Sequence, residues 1–300
     1  MKKLLFRRLK CCLLGDRWVT VLMYHSVAPD AARNWGPWEY AVTPEQFKQH
    51  INHIAQEYEP TTLDSLINNS SVPENAIVVT FDDGFQDTLT TALPILETYG
   101  VPATVHVTTG FLSDHHAPFE YRVAESLQAM DHIDVSVNGL HLERALPTDE
   151  ALVRAYDKIK QWGMHVGREK RRELLSQLPD TKGGIKMLTE PEIEKLSNHP
   201  LITVGAHGHD HLPLTGRKQS TVKTDIEDCR EQLESLTETS IDHFSYPYGA
   251  FDYEVTSVVK QLGFKTATTT RPYDFVLSSN KELYYEIPRF DASNGLREII

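Results

Sequence analysis

The sequence predicts an α/β fold built on parallel strands, and three observations carry that expectation. From residue 18 onward, short β-branched runs alternate with helical patterns, as in chains of repeated strand–helix units. Four of the strand candidates run directly into polar clusters, as happens when strand ends share one functional face. The 300 residues, 40% hydrophobic and 24% charged with no low-complexity tract, suit a soluble globular chain able to bury a large core. Seven strand candidates fit either a barrel or an open doubly wound sheet.

The first element is a basic segment, residues 1–17, opening MKKLLFRRLKCCLLG. Lys2, Lys3, Arg7, Arg8 and Lys10 interrupt every apolar run long enough for a signal-peptide core, so no cleaved export signal is expected. Leu5, Leu9, Cys12 and Leu13 form an apolar stripe beside the cationic face. Two readings stand: peripheral contact of residues 1–14 with an anionic membrane, or a terminal helix packed on protein or frayed. No apolar stretch approaches the roughly 18–20 residues that span a bilayer. Three cysteines, Cys11, Cys12 and Cys229, do not form a disulfide framework and fit a reducing, cytoplasmic compartment. A net charge of −12 argues against nucleic acid as a partner.

The strand candidates are WVTVLM (18–23), AIVVTF (76–81), ATVHV (103–107), LITVGA (201–206), HFSYP (243–247), KTATT (265–269) and YYEIP (284–288). Between them, Thr43-Pro44-Glu45-Gln46 and Thr189-Glu190-Pro191-Glu192 carry capping-box spacing and start helices. Val222, Ile226, Cys229, Leu233 and Leu236 give one buried face to a long helix, which makes Cys229 a core residue. Val255, Val258, Val259 and Leu262 do the same ahead of Gly263. Residues 111–186 read as a charge-rich helical insertion without a strand, inside one domain spanning 18–300.

His25 ends the first strand candidate, Asp82 and Asp83 follow the second, His207 to His211 follow ITVGA, and Tyr248-Gly249 follow FSYP. In TFDDG, Gly84 permits a tight turn, Asp87 is placed to cap the next helix, and two adjacent carboxylates leave the strand in different directions. One can hold a cation while the other serves as a base. His207 and His211, four apart, can share that cation with His209 as a spare imidazole. Two histidines and a carboxylate leave positions open for water and substrate, as at catalytic zinc sites.

Together these residues resemble the polysaccharide deacetylase family, the NodB homology domain of carbohydrate esterase family 4, over about residues 19–290. TFDDG (80–84) is similar to the family's first motif, the histidines to its second, and FSYPYG (244–249) to its third. The resemblance implies an irregular seven-stranded (β/α) barrel, NodB-like, with a helical insertion. It implies Asp82 as general base, Asp83, His207 and His211 as ligands of one divalent metal ion, foremost Zn²⁺, and the Tyr248 backbone N–H on the oxyanion. Three departures stand out: Gly208 follows the first metal histidine where Ser or Thr is usual, Ser245 replaces the third-motif arginine, and the carboxyl-terminal Leu-x-His motif is absent. Arg289, at the end of the last strand candidate, is the candidate substitute for the arginine, and His25 is the candidate for the general acid.

The expected activity is metal-dependent hydrolysis of the N-acetyl group of an amino sugar in a cell-surface glycan or its precursor. Open beside it are O-deacetylation on the same scaffold, a non-catalytic glycan-binding member of the fold, and an amidohydrolase-type barrel using a His207-x-His209 pair.

Overall fold

The computed structural model describes residues 17–29, 35–68, 72–112, 118–181 and 184–299. The amino-terminal segment read as a membrane-contacting helix therefore lies outside the described residues. Among them, no helix is long and apolar enough to cross a membrane.

The strands are β1 (Trp18–Tyr24), β2 (Glu59–Thr61), β3 (Ala76–Phe81), β4 (Ala103–Val107), β5 (His132–Val137), β6 (Leu140–Ala145), β7 (Ile202–Ala206), β8 (His243–Ser245), β9 (Thr266–Thr268), β10 (Phe275–Val276) and β11 (Phe290–Asp291). The path β1-β3-β4-β7-β8-β9 is parallel throughout. All residues of β3 and β4 are buried, as continuous apolar runs require when both faces of a sheet are covered. The result is a mostly parallel, curled sheet, as expected. Two edge pairings were not legible: β2 lies parallel to β3, and β10 runs antiparallel to β1.

The helices are α1 (Pro44–Glu57), α2 (Leu63–Asn68), α3 (Leu93–Tyr99), α4 (Phe119–Gln128), α5 (Asp149–His165), α6 (Arg168–Leu175), α7 (Glu190–Ser197), α8 (Gln219–Thr237), α9 (Tyr253–Gln261) and α10 (Leu296–Ile299). Both capping boxes form: Thr43 Oγ1 accepts from Gln46 N at 3.2 Å, and Thr189 N donates to Glu192 Oε2 at 2.9 Å. On α8, Val222, Ile226, Cys229 and Leu233 are buried, and each apolar side chain contributes about 1.5–3 kcal/mol of burial. Burial pushes the Cys229 thiol up to about 12, which makes it an inert core residue.

Three expectations need correction. YYEIP is not a strand: Lys281–Tyr285 is a 3₁₀ turn capped by Asn280, with the Tyr284 and Tyr285 hydroxyls tied to the Ser278 and Phe264 carbonyls. Its tyrosines anchor a connection, and the next segment does the pairing. Ile287 bridges to Thr268 of β9, and Phe290–Asp291 lies parallel to β1, so residues 287–291 link the two ends of the curled sheet. The insertion is not wholly helical: β5 and β6 form an antiparallel hairpin that turns at Asn138-Gly139. Its Ile133, Val135 and Val137 are buried and alternate with exposed His132, Asp134 and Ser136, a period-2 signal beside a strong turn dipeptide. With α4, α5 and α6 the hairpin packs a second apolar cluster, apart from the one beneath the main sheet. Asp87 does not cap a helix; its carboxylate accepts from Ser26 Oγ at 2.5 Å and Val27 N at 3.1 Å, holding the loop after β1.

Candidate active site

The carboxyl ends of β1, β3, β7 and β8 open into one cleft of about 400 Å³. His25, Asp82, Asp83, His207, His211 and Tyr248 all line it, although they come from four separate stretches of chain. Parallel strands bring this about, because every strand then ends on the same face.

Asp83 leaves β3 with φ +74 and Gly84 follows with φ +86, so the chain turns sharply and the neighbouring carboxylates diverge. Asp83 Oδ1 lies 3.4 Å from His207 Nε2 and 3.1 Å from His211 Nε2. One ligand atom from each of the three residues lies within 4.8 Å of the others, and all three side chains are buried. The His207 ring bonds through Nδ1 to the Ser245 carbonyl at 2.8 Å, which makes Nδ1 the donor and leaves the Nε2 lone pair facing Asp83. Asp83 Oδ1 accepts no hydrogen bond among the described residues. Two imidazole nitrogens converging on a buried carboxylate oxygen suit a divalent cation, and one oxygen with two nitrogens is a donor set found with zinc. The charge balance agrees. Burial would raise the Asp83 carboxyl, but His211 and His207 hold it below the usual carboxylate range. Burial would lower His207, yet Asp82 and Asp83 raise it.

Asp82 points the other way and is clamped. Arg289, fully buried, donates from Nη1 to Oδ1 at 2.8 Å and from Nη2 to Oδ2 at 2.6 Å, a bidentate pair. Ser245 Oγ donates to Oδ2 at 3.1 Å, and His106 Nδ1 lies 3.2 Å from Oδ1. Against the upward push of burial, Arg289 chiefly, then His207 and His106, holds the Asp82 carboxyl well below the usual range. Ser245 stands where the resembled motif has arginine, and the space its small side chain leaves receives the guanidinium of Arg289, delivered by the segment that links β9 to β1.

A second departure, Gly208, also has a local cause. Gly208 has φ +77, and a Cβ there would sit 2.7 Å from Asp225 Oδ2. That carboxylate accepts from His209 N at 3.2 Å and Asp210 N at 2.8 Å, securing the histidine loop from α8. His209 turns away: its Nδ1 lies 2.9 Å from Thr109 Oγ1 and its Nε2 lies 3.3 Å from Arg168 Nη1. The His207-x-His209 pair of the amidohydrolase alternative does not form.

His25 lines the cleft, 5.5 Å from Tyr40 between ring centroids, with Nδ1 buried and unbonded among the described residues. Tyr248 has φ +57, outside helical space within its 3₁₀ turn. Four residues of this region escaped the reading of the sequence: His106, Glu120, Arg171 and Asp225. Glu120, Ala124 and Leu127 share one buried stripe on α4, as do Arg171 and Leu174 on α6. A charge at a core position of a helical pattern was the available signal.

Comparisons with known proteins bear on the family and the fold. The family model described as Polysaccharide deacetylase matches residues 69–267. The chain is 19% identical over 281 residues to the putative polysaccharide deacetylase YxkH of Bacillus subtilis (strain 168), covering 92% of this chain and 72% of that one. It is similar in structure to the Streptococcus pyogenes deacetylase PplD in complex with acetate, at TM-score 0.61 and 16% identity over 95% of this chain and 98% of the other. It is also similar in structure to the de-N-acetylase of Aggregatibacter actinomycetemcomitans, at TM-score 0.57 and 15% identity over 91% of this chain and 95% of the other.

Proposed function

The chain belongs to the polysaccharide deacetylase family, and on that premise we propose that it hydrolyses the N-acetyl group of an amino sugar in a cell-surface glycan or its precursor, with one divalent ion, foremost Zn²⁺. The observation that carries the proposal is the pairing of two differently prepared carboxylates: Asp83 among imidazoles and Asp82 fixed by Arg289. A structural metal site would have no use for the second.

Asp83, His207 and His211 would hold the ion. When bound, it supplies Lewis acidity toward the acetyl carbonyl and toward water. Asp82 then takes the proton of the attacking water. Its clamp keeps it ionised and aimed, and positioned general bases are worth about 10²–10⁴ in rate. The Tyr248 backbone N–H faces the developing oxyanion, a role in which a fixed donor costs no reorganisation. His25 returns a proton to the amine leaving group, which an N-acetyl substrate requires and an acetyl ester requires far less. That difference, with the de-N-acetylase among similar structures, supports N- over O-deacetylation. A non-catalytic member of the fold would be expected to lack both an arginine on the base and a general acid; Arg289 supplies the first, and the His25 substitution tests the second.

The test is acetate release from N-acetylated oligosaccharides and from nucleotide- or lipid-linked N-acetyl sugars, with metal content measured in parallel. Stoichiometric zinc and acetate release, both lost in His207→Ala/His211→Ala, is the expected result. One equivalent of metal retained by that double variant after dialysis overturns the site assignment.

A further inference from the structure

Besides Asp83 at its strand exit, two residues of the cleft have left-handed backbone conformations. His211 has φ +47 and Tyr248 has φ +57, left-handed conformations that cost non-glycine residues about 1–2 kcal/mol each. Such conformations persist when surroundings over-determine them. Here the surroundings come from outside the main sheet. Arg171 of α6, buried although charged, donates from Nη1 to the His211 carbonyl at 3.2 Å and from Nη2 to the Tyr248 hydroxyl at 3.4 Å. Its Nε donates to the Gly163 carbonyl at 2.9 Å, and its guanidinium lies 4.9 Å from the Phe119 ring centroid, so the fork is held at both ends. The Tyr248 hydroxyl in turn donates to Glu120 of α4, a buried carboxylate in the cleft wall. The His211 and Tyr248 rings lie 4.7 Å apart, so one brace serves both residues.

We propose that Arg171 and Glu120 are positioning residues through which the segment holding α4, α5 and α6 locks His211 and Tyr248 into their left-handed conformations. Arg171 thereby sets the direction of the His211 imidazole, and Glu120, through the Tyr248 hydroxyl, sets the direction of the Tyr248 backbone N–H. A planar fork with several donors suits this task, since it reaches a carbonyl and a hydroxyl at once. The assignment rests on the deacetylase reading for its kinetic consequence, but the Arg171–His211 contact makes a claim about zinc affinity that stands without turnover.

The experiment uses the full chain, with Zn²⁺ affinity read by competition with a chromophoric chelator and turnover read as acetate released from an N-acetylglucosamine oligosaccharide. Arg171→Met should weaken Zn²⁺ about 10–100-fold, the usual cost of losing a partner that orients a metal ligand. Arg171→Lys keeps the charge and the stem beside Phe119 and guards against a folding failure; lacking the fork, it should also bind Zn²⁺ more weakly. Tyr248→Phe removes only the hydroxyl and should lower kcat about 10-fold with KM and Zn²⁺ affinity unchanged, as loss of one orienting hydrogen bond predicts. Glu120→Leu should match it, and Glu120→Gln, which keeps an acceptor oxygen, should recover most of the loss. Wild-type Zn²⁺ affinity in both folded Arg171 variants overturns the brace, as does wild-type kcat in both Tyr248→Phe and Glu120→Leu. If the wild-type chain releases no acetate from any substrate tried, the deacetylase reading fails, and the Zn²⁺ affinities of the Arg171 variants still decide the brace.

Discussion

Replacing Arg289 with methionine tests the reasoning about Asp82 most directly. The side chains are similar in length, but the variant loses both charge-assisted hydrogen bonds, at 2.8 and 2.6 Å, from a carboxylate that is almost wholly buried. Removing one partner of a buried ion pair costs about 3–5 kcal/mol when the remaining charge stays ionised. Asp82 can avoid that cost by taking up a proton. At 1.36 kcal/mol for each pKa unit, the same energy raises its pKa by about 2–4 units. Asp82 is now held below the ordinary range, so its contribution to stability is present above the unfolded carboxylate pKa and is lost as pH falls through the folded value. In Arg289→Met the sign reverses once the folded pKa exceeds the unfolded one: stability is then lost as pH rises. Protonated Asp82 cannot act as a base, so the acidic limb of kcat/KM should move upward, with the rate loss deepening as pH falls. The assays are a pH–rate profile and thermal melts at acid and neutral pH, with zinc content as control. An unmoved acidic limb together with near-wild-type turnover refutes the clamp.

The remaining predictions follow from the same geometry. Asp82→Asn should keep the metal and lose about 10²–10⁴ in rate, whereas Asp83→Asn should lose the metal; equal metal loss in both would refute the division of roles. His25→Gln should lower amide turnover strongly while sparing an activated acetyl ester, whose leaving group needs no proton, and equal losses on the two substrates exclude His25 as the acid. Gly208→Ser places a side chain where Asp225 Oδ2 would lie 2.7 Å from its Cβ, so it should displace that carboxylate and weaken zinc retention; unchanged zinc affinity would show that the Asp225 contacts are dispensable. Removing residues 2–14 should abolish co-sedimentation with anionic vesicles and leave turnover on a soluble substrate intact, and unchanged co-sedimentation refutes membrane contact by that segment.

Much of the site was legible in the sequence because its chemistry clusters where local signals are strong. Asp82 and Asp83 follow a continuous apolar strand, His207 and His211 follow another, and parallel topology alone suffices to put them on one face. The capping boxes and the α8 stripe depend on residues three or four apart, so they too could be read locally. The hairpin of β5 and β6 was missed despite its Asn138-Gly139 turn, because six-residue alternation was outweighed by the charged helical patterns on either side. What only tertiary structure decided is the set of partners supplied from afar. Arg289 reaches Asp82 across more than two hundred residues because the last segment links β9 to β1, and no periodicity encodes that closure. Arg171 and Glu120 sit on buried helical stripes as apparent misfits, and their carbonyl and hydroxyl partners appear only when the second apolar cluster docks beside the cleft. Spacing along a chain specifies neighbours within a turn or a strand, whereas hydrogen-bond partners between elements depend on how whole layers pack.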